Sequence, residues 1–293
     1  MRTIATTLFL SVLVSGCAKH SATYEQGAAS GTAEQSKALQ DEAMALWEQR
    51  DDGAKLSAAF EKFEANDKLI FLGNVIGLGS NSKETLSSVI DLRFNLMSKF
   101  KLKPESIVFL RGAQEEMFSK LLQLQLAPNP TEIIEWMFDH GVNETIKSYG
   151  FSESEVKRIA SSGTMNISKW TTSLNKSLQY NLGHTQYYLN LKHAAYSNTK
   201  KILFVNRGVD ITRPLSAQND CFWWGFQNFS SIDRPYKTFS RIVRGYESEH
   251  LNQKEISKND IVCTLFKQPL SNNSVLCGIF SENGEILDLF ENK

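Results

Sequence analysis

The sequence predicts an α/β fold, and three stretches carry that prediction. An apolar run of strand type covers residues 67–73 and leads into a turn rich in glycine. An amphipathic helix is expected from about Lys83 to Phe100, and a second apolar run, Ser106–Leu110, then breaks at a polar loop. Strand, loop, helix and strand in this order indicate an open sheet, in which functional groups lie at the carboxyl ends of strands. The loops after the two strands are therefore the expected place of a site.

Composition limits the classes of protein that this chain can belong to. It has 293 residues, of which 41% are hydrophobic and 22% charged, enough for one large domain with an appendage. The 32 basic residues balance the 32 acidic residues, so the formal net charge is zero. Because nucleic-acid binding needs a basic surface, we predict no nucleic-acid partner.

The N-terminus is typical of an exported bacterial protein. Residues 4–14 form an apolar stretch that is too short to span a bilayer. Val14-Ser15-Gly16-Cys17 then resembles the bacterial lipobox, in which the cysteine is lipidated and becomes the new N-terminus. We expect a lipoprotein signal peptide over residues 1–16 and a lipid anchor on Cys17. Ala18 and Lys19 carry no acidic retention signal, which favours the outer membrane, facing the periplasm, of a Gram-negative cell. An ordinary secretory signal with a chance cysteine is the alternative.

A tether and a helical hairpin are predicted next. Residues 17–32 are rich in Ala, Ser and Gly, which suits a flexible tether. Residues 33–66 carry two apolar stripes at helical spacing. The stripes consist of Leu39, Ala43, Leu46 and Trp47, and of Leu56, Ala59, Phe60 and Phe63. The hairpin resembles one tetratricopeptide-type unit of the sort found in bacterial lipoproteins attached to transport systems. One unit cannot bury its faces alone, so it must pack on the following domain, pack on a partner, or fray.

The three cysteines after Cys17 allow at most one internal bridge in an exported protein. Cys263 and Cys277 lie in two predicted strands, equidistant from the middle of the segment that joins them. We predict that they face each other across a hairpin and can form a disulfide. Two buried free thiols are the alternative. A last tight turn is predicted at Asn283-Gly284, leading into a strand over Ile286–Phe290.

Five stretches of residues 67–293 share their order, spacing and flanking apolar residues with one known family. They are Asp67-Lys-Leu-Ile-Phe-Leu-Gly-Asn-Val-Ile-Gly-Leu-Gly-Ser-Asn-Ser-Lys-Glu84, Val108-Phe-Leu-Arg-Gly-Ala-Gln-Glu115, Trp136-Met-Phe-Asp-His-Gly-Val-Asn-Glu-Thr-Ile-Lys-Ser-Tyr-Gly150, Ile202-Leu-Phe-Val-Asn-Arg-Gly208 and Val243-Arg-Gly-Tyr246. These stretches resemble the bacterial serine/threonine-type phosphatases of the calcineurin-like metallophosphoesterase superfamily. The resemblance implies a β-sandwich flanked by helices over residues 67–293, preceded by the short helical hairpin. The family's first strand motif is missing, because the predicted hairpin stands in its place.

The resemblance also implies a site for two divalent metals such as manganese, which polarise the phosphate and activate water. Asp, His and Asn side chains at strand ends hold these metals in the family. The bridging aspartate falls on Asn74, and the ligand asparagine falls on Ala113. The histidine that acts as the acid falls on Gln114. The two late histidine ligands fall on Asn206 and Tyr246.

Two further groups of the family are also replaced. The aspartate that orients the histidine acting as the acid falls on Gly77. The arginine that binds the phosphate falls on Leu78. Because neutral amides hold a divalent ion weakly, we expect no metal cofactor and no catalytic residue. We predict a membrane-anchored phosphatase-like protein that has lost catalysis and acts as a binding or scaffold module with a protein partner. One alternative is a residual metal-dependent phosphoesterase that uses Asn74, Gln114 and Asn206. The other is a fused, decaying gene product, suggested by the abrupt change at residue 67.

Three arginines accompany the substituted positions. Arg111, Arg207 and Arg244 could together bind an anion such as phosphate without hydrolysing it. In the alternative, they fill and neutralise a vacated cavity or point to solvent. The turn Gly73-x-x-x-Gly77-x-Gly79 also mimics a dinucleotide-binding turn, but no acidic residue follows on a second strand at the proper distance.

Overall fold

The computed structural model describes residues 6–11, 63, 67–77, 79–225, 229–245, 260–265 and 275–292. The predicted lipidation site Cys17, the tether and almost all of the predicted hairpin lie outside the described residues. Leu78 and Tyr246, two of the substituted family positions, lie outside them as well.

Nine strands form two sheets in the described part of the chain. The strands are β1 (Thr6–Ser11), β2 (Lys68–Phe71), β3 (Ile107–Phe109), β4 (Ala195–Tyr196), β5 (Ile202–Val205), β6 (Arg241–Arg244), β7 (Val262–Thr264), β8 (Val275–Ser281) and β9 (Ile286–Asn292). The five-stranded sheet has the order β3-β2-β1-β8-β9, and the four-stranded sheet has the order β4-β5-β6-β7. β1, β2 and β3 run parallel, and so do β5, β6 and β7. The carboxyl ends of neighbouring parallel strands therefore meet at one edge of each sheet.

Eight α-helices accompany these sheets among the described residues. They are α1 (Ser82–Phe100), α2 (Ala113–Leu121), α3 (Pro130–Asp139), α4 (Val142–Ser148), α5 (Glu153–Ala160), α6 (Thr164–Tyr180), α7 (His184–Asn190) and α8 (Cys221–Trp224). The predicted helix from Lys83 to Phe100 is confirmed as α1. In the described part of the chain, no helix has both the length and the apolar character needed to cross a bilayer.

Three apolar layers hold the sheets and helices together. Leu69 and Phe71 on β2 belong to a layer shared with α1 to α7, whereas Ile70 between them packs toward the second sheet. On β5, Phe204 faces the first sheet and Leu203 faces the outer layer that includes α8. Successive side chains of a strand point to opposite faces, so apolar residues on both faces indicate strands buried on both sides. The predicted α/β sandwich flanked by helices is confirmed.

β1 is a central strand of the five-stranded sheet, although the family's first strand motif is missing from the sequence. It pairs in parallel with β2, with Leu8 opposite Leu69, and antiparallel with β8, with Leu10 opposite Cys277. The apolar N-terminal run, predicted as the core of a signal peptide, is thus a central strand of the unprocessed chain. Removal of residues 1–16 stays a prediction.

The predicted hairpin between Cys263 and Cys277 is wrong. β7 pairs with β6, whereas β8 pairs with β1 and β9, so the two cysteines lie in different sheets. β7 and β8 therefore do not form a hairpin. Cys221, Cys263 and Cys277 are all buried free thiols, the alternative that the sequence left open. The last predicted turn is confirmed, because β8 and β9 form an antiparallel hairpin through Gly284, whose φ is +97°.

Phe63, near the end of the predicted helical hairpin, packs on the domain. Its side chain is only 4% exposed and belongs to the layer that contains α1. Its ring lies 5.3 Å from the ring of Phe100 in an edge-to-face arrangement. The C-terminal end of the predicted hairpin is therefore joined to the core.

Candidate functional site

The carboxyl ends of β2, β3 and β5 meet around Gly73. Asn206, just after β5, donates from Nδ2 to the carbonyl oxygen of Leu72 at 2.7 Å. A Cβ on Gly73 would lie 2.8 Å from Asn206 Nδ2 and 2.8 Å from the backbone nitrogen of Gly112, which follows β3. Since real Cβ atoms do not approach so closely, only glycine at position 73 lets the three strand ends come together.

Two amide side chains join the loops after β2 and β3. Asn74 has a left-handed backbone with φ +57°, which asparagine adopts more readily than most residues. Its Oδ1 accepts from the backbone N–H of Gln114 at 3.2 Å. Gln114 donates in turn from Nε2 to the carbonyl oxygen of His140 at 2.7 Å. Both side chains therefore hold one segment of backbone against another.

The side chain of Gln114 takes up the space beside Gly77. A Cβ on Gly77 would lie 2.4 Å from Gln114 Cδ, and the φ of Gly77 is +123°. Ala113, at the start of α2, is 6% exposed and offers no polar side-chain atom. The structure thus brings Asn74, Gly77, Ala113 and Gln114 together, and Asn206 reaches the same strand ends.

Glu115, for which the sequence predicts no role, holds the loop after β2 through its carboxylate. Each of its partners donates a hydrogen bond. They are the backbone N–H groups of Asn74 (2.9 Å), Val75 (2.7 Å), Ile76 (3.4 Å) and Gly112 (2.9 Å), and the hydroxyl of Tyr187 (3.1 Å). Burial raises the pKa of Glu115, and the backbone N–H donors act against this rise. Because every one of these partners is a donor, the carboxylate form suits the site.

One signal in the sequence pointed to part of this role. Glu115 stands three residues after Gly112, the residue before α2, and a glutamate at this place commonly caps the start of a helix. That pattern accounts for the bond from the backbone N–H of Gly112. It does not reveal that the same carboxylate reaches back about 40 residues along the chain to Asn74, Val75 and Ile76.

Two of the three predicted anion-binding arginines make close contacts within the fold. Arg111 forms an ion pair with Glu116 at 2.6 Å. Arg244 is 6% exposed, donates from Nε to Thr264 Oγ1 at 2.9 Å, and lies 4.2 Å from the ring centroid of Phe229. Both side chains therefore have partners within the fold, and anion binding by the three arginines stays a prediction.

Arg207 lies next to Arg244, but the two are joined through backbone. A nitrogen of the Arg244 guanidinium donates to the carbonyl oxygen of Arg207 at 3.4 Å. The aliphatic part of the Arg207 side chain lies against Gly225, where an added Cβ would be 3.1 Å from Arg207 Cγ. The structure therefore brings two of the three arginines into contact, and it holds the Arg111 guanidinium against Glu116.

The side chains at the strand ends do not fit a two-metal centre. Asn74, Gln114 and Asn206 are neutral amides, and the carboxylate of Glu115 is occupied by five donors. Among the described residues, no three His, Cys, Asp or Glu side chains are grouped so that they could hold a metal ion. Asn206 Oδ1 and Gln114 Oε1 are buried, and the structure gives neither a hydrogen-bond donor. Two neutral oxygens are a poor set for two divalent cations.

Comparison with known proteins gives distant structural neighbours. No protein-family model and no curated protein matches this sequence. A crystal structure provisionally described as a diadenosine tetraphosphatase is 12% identical, with a TM-score of 0.46 over 99% of this chain and 95% of its own. A serine/threonine phosphatase from Saccharomyces cerevisiae, described as similar to human phosphatase PP5, is 15% identical, with a TM-score of 0.37 over 83% of this chain and 82% of its own. At these scores neither likeness assigns this chain a family or an activity.

Proposed function

We propose that this chain is a non-catalytic protein with a metallophosphoesterase-like fold, which acts as a binding or scaffold module. The observation that carries the proposal is the set of donors at the strand ends. Asn74, Ala113, Gln114 and Asn206 stand where the resemblance places metal ligands and the acid, and none of them carries a charge. The Glu115 carboxylate, which lies against these loops, binds backbone N–H groups, and that of Glu116 is paired with Arg111.

The energetics of a two-metal centre support the loss of catalysis. Two divalent cations about 4 Å apart repel strongly, so they need a bridging anion and a full set of ligands. Asn74 supplies no charge, and its Oδ1 already accepts from the backbone of Gln114. Gln114 has no titratable proton, so it cannot serve as a general acid.

Metal analysis combined with a phosphatase assay tests the proposal. We expect the purified protein to bind no manganese or zinc in stoichiometric amounts and to hydrolyse p-nitrophenyl phosphate no faster than background. A single restoration such as Asn74→Asp should rescue nothing. Asn74→Asp, Ala113→Asn, Gln114→His, Asn206→His and Tyr246→His together should recover metal binding in part. Stoichiometric metal with turnover that Asn74→Ala abolishes would instead establish the residual phosphoesterase.

Recovery of a specific binding partner would distinguish a functional binding module from a decaying gene product. We propose that the partner is a protein of the cell envelope, because the sequence predicts export and a lipid anchor on Cys17. A tagged chain should recover the same protein from a detergent extract of membranes in repeated experiments, whereas the same chain, denatured before it meets the extract, should not. Recovery of nothing specific would favour the decaying product.

The lipid anchor has its own test. We propose that Cys17 is lipidated and holds the module at the outer membrane, a proposal that rests on the lipobox resemblance. The wild-type protein should then partition into detergent, and Cys17→Ala should release it into the aqueous phase. Equal partitioning of the two proteins would remove the anchor from the proposal.

A further inference from the structure

The central strand of the five-stranded sheet is the segment that the predicted processing would remove. β1 spans six residues and lies between β2 and β8. It pairs in parallel with β2 from Thr7 to Leu10 and antiparallel with β8 along its whole length. Cleavage before Cys17 would therefore remove an inner strand. The backbone N–H and C=O groups of β2 and β8 that pair with β1 would then face each other across a gap. We call this gap the β2–β8 slot.

An empty β2–β8 slot would be costly. Backbone N–H and C=O groups that lose their partners must be paired again or exposed to water. The residues that flank the slot are buried on both faces of the sheet, among them Phe71 and Cys277 on the helix side and Ile70 and Phe280 on the side of the second sheet. Water entering the gap would reach these apolar side chains.

The processed chain has no obvious replacement strand of its own. Residues 17–32 are rich in Ala, Ser and Gly, which have low β-propensity or little side chain to pack. Residues 33–66 carry apolar stripes at helical and not strand spacing. A second processed copy lacks β1 as well, so it cannot donate the missing strand.

We propose that the β2–β8 slot is a strand-acceptor site, filled by Thr6–Ser11 in the unprocessed chain and by an extended apolar segment of a partner protein after cleavage before Cys17. The inference rests on the export and processing that form part of the proposed function. To the proposed binding function the inference adds a mode of binding, which is strand addition. In this mode, main-chain hydrogen bonds give affinity and side-chain pockets give specificity.

The surroundings of the slot define the partner segment. It runs parallel to β2 and antiparallel to β8, as β1 does. Its length is about six residues, the length of β1. Because both faces of the sheet are covered, the segment must be apolar at successive positions, and an alternating apolar and polar strand would bury polar groups.

A disulfide trap in the full-length chain tests whether the slot holds the N-terminal segment. Leu10 and Cys277 are opposite partners of an antiparallel pair. Such residues have Cα atoms about 4.5–5.5 Å apart, within the range that a disulfide can bridge. Leu10→Cys should therefore form a disulfide with Cys277 when the protein is treated with diamide. The reaction is run at alkaline pH because burial raises the pKa of Cys277.

Matched variants make this trap specific. All are built with Cys17→Ala, which removes the cysteine that follows the strand in the sequence. Phe9→Cys places the thiol one residue away, opposite Gly278 and on the other face of the sheet, so it should not bridge. Leu10→Cys with Cys277→Ser should not bridge either. Absence of the Leu10→Cys bridge, or equal bridging by Phe9→Cys, would overturn the proposed occupancy.

Strand exchange tests whether another chain can enter the slot. A protease site is introduced between Ser11 and Cys17, and the folded protein is then cut there. The released segment should stay bound through gel filtration, and a fluorescent peptide of residues 4–14 should replace it when added in excess. The same peptide with Phe9→Pro should not, because proline lacks the N–H and fits poorly in a central strand.

Three outcomes would overturn the strand-acceptor site. One is loss of the cut segment with no fall in the melting temperature, and another is no exchange at any temperature below unfolding. The third is a native protein, isolated from its source, that still begins within residues 1–16. All of these readouts are independent of metal binding and hydrolysis. The strand-acceptor site can therefore be disproved without any effect on the proposal that the protein is not catalytic, and the reverse is also true.

Discussion

Glu115 is the residue on which the strand-end loops depend. Five donors converge on its two carboxylate oxygens from three separate parts of the chain. In an enzyme, a buried carboxylate at the end of a strand is a candidate for chemistry. Here, the Glu115 carboxylate accepts hydrogen bonds from the backbone of residues 74–76 and stabilises that loop. Its oxygens are therefore already engaged and are not free to act on a substrate.

Removing that carboxylate should destabilise the protein severely. Glu115→Ala leaves several buried N–H groups without an acceptor, and each such group costs about 1–3 kcal/mol. We expect a loss of about 3 kcal/mol or more in the free energy of unfolding, measured by urea denaturation. Glu115→Gln keeps one side-chain acceptor and should lose less. Glu135→Ala, at an exposed position of α3, serves as the control and should change stability by about 0.5 kcal/mol or less.

The residues of the candidate site could be located from sequence, but their bonds could not. Asn74, Gln114 and Asn206 were placed at one site because the stretches that contain them resemble, in order and spacing, the site stretches of one family. The Asn206 bond to Leu72 and the Gln114 bond to His140 span long stretches of chain and depend on side-chain direction. Periodicity and spacing carry no information of that kind, so the support given by Glu115 was missed.

His184 is a second buried polar residue with consequences for stability. Its Nδ1 lies 2.6 Å from the hydroxyl of Tyr149, and its Nε2 lies 3.0 Å from Ser87 Oγ. Ser87 donates its own hydroxyl proton to the carbonyl oxygen of Lys83, so Nε2 is assigned as the donor to Ser87 and Nδ1 as the acceptor from Tyr149. Burial, with a smaller effect of Lys83, lowers the pKa of His184 to about 4.

Stability should therefore fall as the solution is acidified. The folded-state pKa of His184 is below its ordinary value of 6.5, so its contribution is complete above pH 6.5 and is lost as the pH falls toward 4. One extra proton bound on unfolding gives a slope of at most about 1.4 kcal/mol per pH unit in this window. His184→Gln should flatten this part of the profile, measured by urea denaturation at a series of pH values. An unchanged slope in the variant would assign the effect to other groups.

At the scale of elements, the sequence predicted strands and helices better than it predicted their partners. α1, β2, β3 and β9 lie where the apolar patterns placed them. The pairing of β7 with β8 was wrong because two strands close in sequence were taken for neighbours, whereas β7 completes the parallel set beside β6. A run of apolar residues identifies a strand, but tertiary packing chooses the sheet that it joins.

The contact between Phe63 and Phe100 joins the predicted hairpin to α1. Phe63→Ala should lower the free energy of unfolding by about 3 kcal/mol, because it leaves a cavity in the helical layer. In a double-mutant cycle with Phe100→Ala, we expect a coupling of about 0.5–1.5 kcal/mol from the edge-to-face rings. Phe94→Ala on the same helix is the control, since Phe94 is 52% exposed. A coupling near zero would mean that the hairpin is not anchored at this point.

At the scale of the whole molecule, two of the three free thiols in the described part of the chain lie in different layers. Cys263 belongs to the layer between the sheets, and Cys277 belongs to the layer under the helices. Cys221 lies at the start of α8 and is 6% exposed. Together they give one native probe for each major part of the fold.

All three thiols should react with a maleimide only as the protein unfolds. In a Cys17→Ala background, we expect slow labelling with one common rate, followed by mass spectrometry of the digested protein. Addition of urea should speed the three reactions in parallel if the sandwich unfolds as one unit. One cysteine that labels much faster than the others would show that its layer opens alone.

The position of β1 also sets the timing of folding. Thr6 pairs with Ser281, so β1 needs a partner that lies far along the chain and is synthesised much later. At about 5–20 residues per second, that wait is on the order of tens of seconds. β2 can offer one edge earlier, but the second edge does not exist until β8 has been synthesised. If the chain is exported as proposed, capture of this apolar segment by the export machinery competes with completion of the sheet, and that competition determines the ratio of processed to unprocessed chains.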